Sequence, residues 1–301
     1  MRFLRFIGTL FAASVIIFLL MRAVPGNPAR VALGVNATDE AVEKLTHSMG
    51  LDRPLLVQYL EWMKGLLTGN FGISLSSQQD ITPLVLDRAQ VTLLLIGLAI
   101  ALALAGAIPM GILLARFRLP VLNAATQLGI AVPSFLVGIV LVAVFSVHLG
   151  WLPANGWQLP REGLSHLVLP VISLALVQGA MLTRYVRATL MEEMGKDYIR
   201  TARSLGESRT GALIRHGLRN AALPVLTVTG VQLSTLVVGA VVIENVFVIP
   251  GLGSMLLDAV SSRDLITVQT LIMVFVTFTL TVNLLTDLAY RVIDPRLKEA
   301  R

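Results

Sequence analysis

The chain has 301 residues, 55% of them hydrophobic and 14% charged, with a formal net charge of +6 and a mean hydropathy of +0.78. Soluble chains carry about 25% charged residues, so a soluble fold is excluded: it would have to hide too much apolar surface with too few groups left for water. Cysteine is absent, which removes disulfides, iron–sulfur clusters, thiolate metal sites and cysteine nucleophiles together.

A charge inside hydrocarbon costs about 2.5–3.5 kcal/mol on insertion scales, and a crossing helix needs about 20 residues. The intervals between charged residues therefore delimit the spans. Arg5 and Arg22 bracket a first span at 6–24, with Arg22 snorkelling to its end. Its basic start also fits a cleaved signal, but the apolar run slightly exceeds a signal's apolar core, and we read it as retained. Pro25-Gly26-Asn27-Pro28 ends it and opens the only long extracytoplasmic segment, 25–90.

Within that segment, Thr38 before Asp39 and Glu40, with Ala41, Val42, Leu45 and Met49 following, predicts a capped helix near 39–49. Leu55, Leu56, Tyr59, Leu60 and Met63 predict a second amphipathic helix. Two readings stay open for these helices: a cap on the spans, or a dock for an outer partner. The Asn36-Ala37-Thr38 glycosylation match is too short to carry weight.

Spans two to four fall at 91–115, 122–147 and 166–186. The Arg118–Arg161 interval has room for two spans, but Gly150, Pro153, Asn155, Gly156 and Pro160 mark its second half as loop. Segment 187–223 follows, then spans five and six at 224–247 and 268–290 within 224–290, and a tail at 291–301. Basic residues gather at Arg2 and Arg5, at Arg116 and Arg118, along 187–223 and in the tail. Only Arg161 and Arg263 occupy the short loops of the other face. The positive-inside rule then makes both termini and segment 187–223 cytoplasmic. The expected fold is all-α, with six transmembrane helices. The net positive charge follows from this topology, and no nucleic-acid partner is implied.

In 187–223, Tyr198, Ile199, Ala202 and Leu205 repeat at helical spacing before Gly206 interrupts, and Leu213 and Ile214 resume an apolar face. Helix, glycine break and second helix form a compact knob for a groove on another protein, or an amphipathic loop lying on lipid. Both readings stand on the residues alone.

This segment resembles the cytoplasmic motif of binding-protein-dependent ATP-cassette importers, Glu-Ala-Ala, three residues, Gly, nine residues, Ile-x-Leu-Pro. Aligned on Gly206, Ala202 and Leu218 match, while Arg200, Thr201, His216 and Arg219 depart from it. The departures resemble the peptide/nickel subfamily's own version, here Arg200-Thr201-Ala202, Gly206 and His216 to Ala221. Along the chain, Pro25-Gly26-Asn27-Pro28, Gly50 to Leu55, Phe71-Gly72-Ile73-Ser74, Glu244-Asn245-Val246-Phe247, Pro250-Gly251-Leu252-Gly253 and Asp294-Pro295-Arg296 resemble the same family in order.

The resemblance implies the first of the two permeases in a dipeptide, oligopeptide, glutathione or nickel importer, with a type I importer fold. It implies a homologous second permease, two ATPase subunits inside, and a solute-binding protein outside. ATP and magnesium would be held by the ATPases, with no cofactor in this chain. ATPase coupling would fall to Arg200, Thr201, Ala202, Leu205, Gly206, His216, Leu218 and Asn220. An outer gate or binding-protein contact would involve Glu244, Pro250, Gly251 and Gly253.

Other chemistry is not encoded. Gly195-Lys196 is followed by Asp197 and lacks the upstream glycine of a phosphate loop, so this chain is not expected to hydrolyse ATP. His47, His148, His166 and His216 are scattered without metal-ligand spacing, and no Gly-x-Ser-x-Gly motif occurs. Glu244 and Asp287 are the ionisable groups inside spans and hence functional candidates, with helix pairing as the plainer role. Gln127, Gln178, Gln232, Gln269 and Asn283 line a path in one reading and bond helices together in the other. A secondary transporter or channel without ATPases is the rival class, but the internal repeat and buried ionisable pairs it would show are missing from the sequence.

Overall fold

A computed structural model describes residues 2–34, 37–117, 119–157 and 163–293. Asn36 of the glycosylation match, Arg118, Arg161 and the Asp294-Pro295-Arg296 tail motif lie outside the described residues. In chain order the helices are α1 (Arg2–Ala23), α2 (Pro28–Leu33), α3 (Asp39–Ser48), α4 (Leu55–Thr68), α5 (Thr82–Arg116), α6 (Pro120–Ala131) and α7 (Ser134–Leu141). They continue as α8 (Gly163–Glu193), α9 (Asp197–Ser204), α10 (Arg209–Ala212), α11 (Leu218–Val246), α12 (Leu252–Ser261) and α13 (Leu265–Ile293). Wider π turns extend α7 over Val142–His148 and join α10 to α11 over Leu213–Gly217.

Among the described residues, five helices are long and apolar enough to cross a membrane, and six spans result if the bent α6–α7 pair counts as one. That pair corrects the expected continuous helix at 122–147. Its two halves meet at 104°. Val132 is extended, at φ −90° and ψ 125°, because the ring of Pro133 disfavours a helical conformation in the residue before it. Other spans outrun their predicted ends. α5 begins at Thr82 and carries Asp87 and Arg88 on its first turns, α8 runs on to Glu193, and α11 absorbs Asn220 to Pro224. The chain thus separates α9 from α10 at Gly206 but runs from α10 into α11 without a loop.

The contacts divide the chain into two units. The first holds residues 1–92 and 250–281. Its apolar cluster joins Ile81 and Val85 of α5 to Leu252 and Met255 of α12 and Leu271 of α13. α3 starts with the predicted cap, Thr38 Oγ1 accepting from the Ala41 N–H at 3.3 Å. Trp62 of α4 stacks against Phe18 of α1 and Tyr59 meets the same ring edge-on, and the Tyr59 hydroxyl meets Ser14 Oγ at 2.8 Å.

A carboxylate fastens the first unit's loop. Asp264, 3% exposed, accepts from Ser74 Oγ at 2.5 Å, the Leu75 N–H at 3.1 Å and Ser76 Oγ at 3.4 Å. It also caps α13, accepting from the Thr267 N–H at 3.2 Å and Thr267 Oγ1 at 2.7 Å.

The second unit holds residues 93–249 and 282–301. Small residues let its helices approach closely, as membrane packing requires. A Cβ at Gly111 would lie 2.5 Å from Val186 Cγ1, and one at Gly230 would lie 2.3 Å from Thr286 Oγ1.

Candidate functional site

The segment from α9 to the start of α11 stands on an apolar base. Ala115 of α5, Val186 and Leu190 of α8, Leu213, and Ala221 of α11 form one buried cluster, with Leu218 packed against it. Polar bonds brace the segment and the helices beneath it. Arg116 Nε donates to Thr210 Oγ1 at 2.9 Å, and Arg187 Nη1 donates to Asn123 Oδ1 at 2.6 Å. His216 Nε2 and Glu207 Oε2 meet at 3.1 Å, so His216 braces the turn from within.

α9 is short and amphipathic. Ile199 is buried and Ala202 half-buried, whereas Arg200 and Thr201 are exposed. Arg200 pairs with Asp197 at 3.5 Å, one turn earlier, and Asp197 favours the positive end of the helix dipole. The helix ends in a left-handed turn: the Gly206 N–H donates to Arg203 O and the Glu207 N–H to Ala202 O, each at 3.1 Å. This bonding pattern closes helix ends and needs a residue with positive φ. Gly206 supplies it at φ +92°, with nothing within 4 Å of where a Cβ would stand. Leu205, just before the turn, is 84% exposed. Of the predicted coupling set, Arg200, Thr201, Leu205 and Gly206 therefore lie on the surface, while Ala202, His216 and Leu218 build the support.

Asn220 belongs to a second support that the sequence reading did not find. Glu193, 6% exposed, accepts from both Lys196 Nζ and the Tyr198 hydroxyl, and the Asn220 side chain also meets that hydroxyl. The group clamps α9 between the end of α8 and the start of α11. An acid in the last turn of a helix opposes the dipole, so Glu193 at that position signalled that a donor had to be near.

Burial pushes Tyr198 above the ordinary tyrosine range, Asn220 working against this and Glu193 with it. The hydrogen bond from Lys196 to Glu193 raises the lysine as well. In both cases the folded pKa lies above the unfolded one. Their stabilisation is therefore complete below about pH 10 and is lost as pH rises through the folded values. Hydrogen exchange of 197–205, corrected for intrinsic rates, is expected to be flat from about pH 7 to pH 9 and to accelerate above about pH 10. Tyr198→Phe should remove part of that acceleration; an unchanged profile would contradict the clamp.

The other predicted residues are placed as follows. Glu244 is fully buried in α11, Gly251 and Gly253 are buried at the start of α12, and Pro250 is exposed. Packing within the chain covers Glu244, Gly251 and Gly253, and Pro250 alone of the four reaches the surface. Gly251 instead organises α12, its N–H donating to Ser254 Oγ at 3.1 Å while its carbonyl accepts from Arg88 Nη1 at 3.5 Å. Gln232 Nε2 donates to Gln178 Oε1 at 2.7 Å, joining α11 to α8. Gln127 is exposed on α6.

Two family models cover nearly the whole chain. Residues 107–299 match the binding-protein-dependent transport system inner membrane component, and residues 1–96 match the N-terminal part of the same membrane component. The chain is 34% identical over 300 residues to a probable peptide ABC transporter permease protein, y4tP, of Sinorhizobium fredii, covering 97% of this chain and 96% of that one. It is 36% identical over 304 residues to the glutathione transport system permease protein GsiC of Escherichia coli K12, covering 99% and 97%.

Among solved structures, the inward-facing MetNI methionine ABC transporter superposes with a TM-score of 0.59 at 16% identity, covering 71% of this chain and 98% of that one. An amino acid ABC transporter crystallised with histidines gives 0.56 at 18%, covering 70% and 94%. These two share the fold. The apolar helices, the family models and the full-length relatives agree, and the chain belongs to the binding-protein-dependent transport system inner membrane components, as a multi-pass ABC importer permease of the bacterial inner membrane.

Proposed function

We propose that the chain is one of two homologous permeases in an ATP-driven importer of di- and oligopeptides, and that Asp197–Arg219 seats in a groove of a cytoplasmic ATPase subunit. The observation that carries this reading is the exposed Leu205 beside the Gly206 turn, held on a base fastened by Glu193, Tyr198 and Asn220. An apolar side chain so exposed at the tip of a rigid support fits a partner's groove better than water.

ATP and magnesium are bound and ATP is hydrolysed by the ATPases, and this chain acts as a transport subunit without catalysis of its own. Closure of the ATPases draws the segment inward and shifts the permease pair between outward and inward access. A solute-binding protein delivers the substrate at the other face, near Pro250. Glu244, Gly251 and Gly253 contribute to an outer gate, and Gln127, Gln178 and Gln232 contribute polar groups to the path. The peptide assignment draws on the names of the two relatives, glutathione itself being a tripeptide.

Proteoliposomes holding this chain with its co-encoded permease and ATPases test the proposal. Uptake of labelled di- and tripeptides should require ATP on the ATPase side and binding protein on the other. Uptake that proceeds without ATP would overturn it in favour of a secondary transporter.

A further inference from the structure

A cavity of about 350 Å³ in the first unit is lined by Arg22 at the end of α1, Gln58, Glu61 and Trp62 of α4, and Gln269 of α13. Three of these side chains carry buried polar atoms that nothing among the described residues satisfies. The Arg22 guanidinium lies 5.0 Å from the centre of the Phe18 ring. Its Nε is buried without a hydrogen-bond partner, and no carboxylate among the described residues pairs with it. Trp62 Nε1 is likewise buried and unpaired.

Gln58 is 8% exposed. Its Nε2 donates to Leu51 O at 3.1 Å and Arg53 O at 2.7 Å, which fixes the amide's orientation and leaves Oε1 buried without a donor. Gln269 is 4% exposed, and its side chain makes no hydrogen bond among the described residues. Glu61 is already engaged, 2.5 Å from Arg53 Nη1.

Each buried polar group left unpaired costs about 1–3 kcal/mol, and native proteins keep only a few per 100 residues. Three around one cavity mark a place where a ligand completes the bonding. The inventory defines its chemistry: a cation and two N–H donors call for an oxyanion, and the Gln58 acceptor calls for a donor beside it. We propose that this cavity binds a carboxylate or phosphate group, with Arg22 as its charge partner and Trp62 and Gln269 as further donors. Gln58 Oε1 accepts from an N–H or O–H next to the anion. The volume suits a small solute or a single headgroup, at the lower end of the range of about 300–1,000 Å³ for ligand pockets. Free anions and phospholipid headgroups share this chemistry. The inference holds whichever solute the importer carries.

The assembled complex in lipid nanodiscs provides the test. The chain has three tryptophans, so Trp151→Phe with Trp157→Phe leaves Trp62 as the reporter in this subunit, and the partners' tryptophans are subtracted with a Trp62→Phe control. Titration with acetate and with inorganic phosphate should give a saturable change in Trp62 emission. Arg22→Gln should weaken it at least about tenfold, Gln269→Leu should weaken it less, and Arg22→Lys should fall between wild type and Arg22→Gln. A lipid source would give no response to free anions but a phospholipid retained by wild type in native mass spectrometry and lost from Arg22→Gln. If Arg22→Gln fails to assemble, Arg22→Lys and Gln269→Leu carry both comparisons. No saturable response together with equal lipid retention in wild type and variants would overturn the site.

Discussion

Leu205→Glu is expected to reduce retention of the ATPase subunits by about 30-fold, the equivalent of losing one interface hot spot of about 2 kcal/mol, while the variant still inserts and folds. Leu205 is 84% exposed and contributes little to the chain's own packing, so its loss registers only in the assembled complex. Gly206→Val should act by another route. Nothing stands within 4 Å of the added Cβ, so the effect is backbone strain at φ +92°, of about 1–3 kcal/mol, and Gly206→Ala should be the milder of the two. Ala202→Arg forces a long charged side chain into the half-buried face of α9 and should also release the ATPases. ATPase activity of the complex, normalised to permease content, reads all four. Wild-type retention and activity in Leu205→Glu would remove α9 from the coupling interface.

The second large effect is expected at Asp264. Asp264→Ala leaves Ser74, Leu75 and Thr267, each under 5% exposed, without their acceptor, and removes the cap of α13. At about 1–3 kcal/mol for each orphaned buried donor, a net loss of about 3 kcal/mol is conservative. Proteolysis within 73–80 is then expected to rise about 100-fold, because cleavage under fast reclosing follows the population of the opened form. Asp264→Asn keeps a capping oxygen but accepts fewer bonds, and should fall between the two. Wild-type cleavage rates in Asp264→Ala would show that other contacts hold the loop.

Much of this fold is written in the spacing of charges. Hydrocarbon penalises a charge wherever it falls in a span, so the gaps around Arg5, Arg22, Arg116, Arg184, Arg219 and Asp264 found the apolar helices. The same logic misplaced helix ends, because a helix continues past the lipid wherever protein satisfies its charges. Arg88 lies inside α5 because Gly251 O and Ser254 Oγ accept from it. The break at Pro133 was available from local sterics, yet the unbroken apolar run around it hid the turn.

The helix–glycine–helix form of 197–219 was legible because its chemistry is local: a helix period, one glycine and a resumed apolar face all fall within a short stretch. The clamp at Glu193 and the hub at Asp264 were not. The clamp's bonds from Lys196 and Tyr198 to Glu193 are close in sequence, but only the fold brings Asn220 to them, and at the hub Ser74 and Asp264 stand 190 residues apart. Glu244 shows the complementary failure. It was legible as an ionisable group inside a span but not as fully buried, because burial depends on neighbouring helices that hydropathy does not describe.

The central claim is that this chain works as a membrane subunit coupled to ATPases through Asp197–Arg219. Mild-detergent co-purification of the tagged chain from its native host, read by mass spectrometry, tests it most directly. The account predicts that a second permease and ATPase subunits emerge with the wild-type chain, and that the ATPases alone are lost from Ala202→Arg. Wild type emerging alone, and still moving solute without ATP, would contradict it.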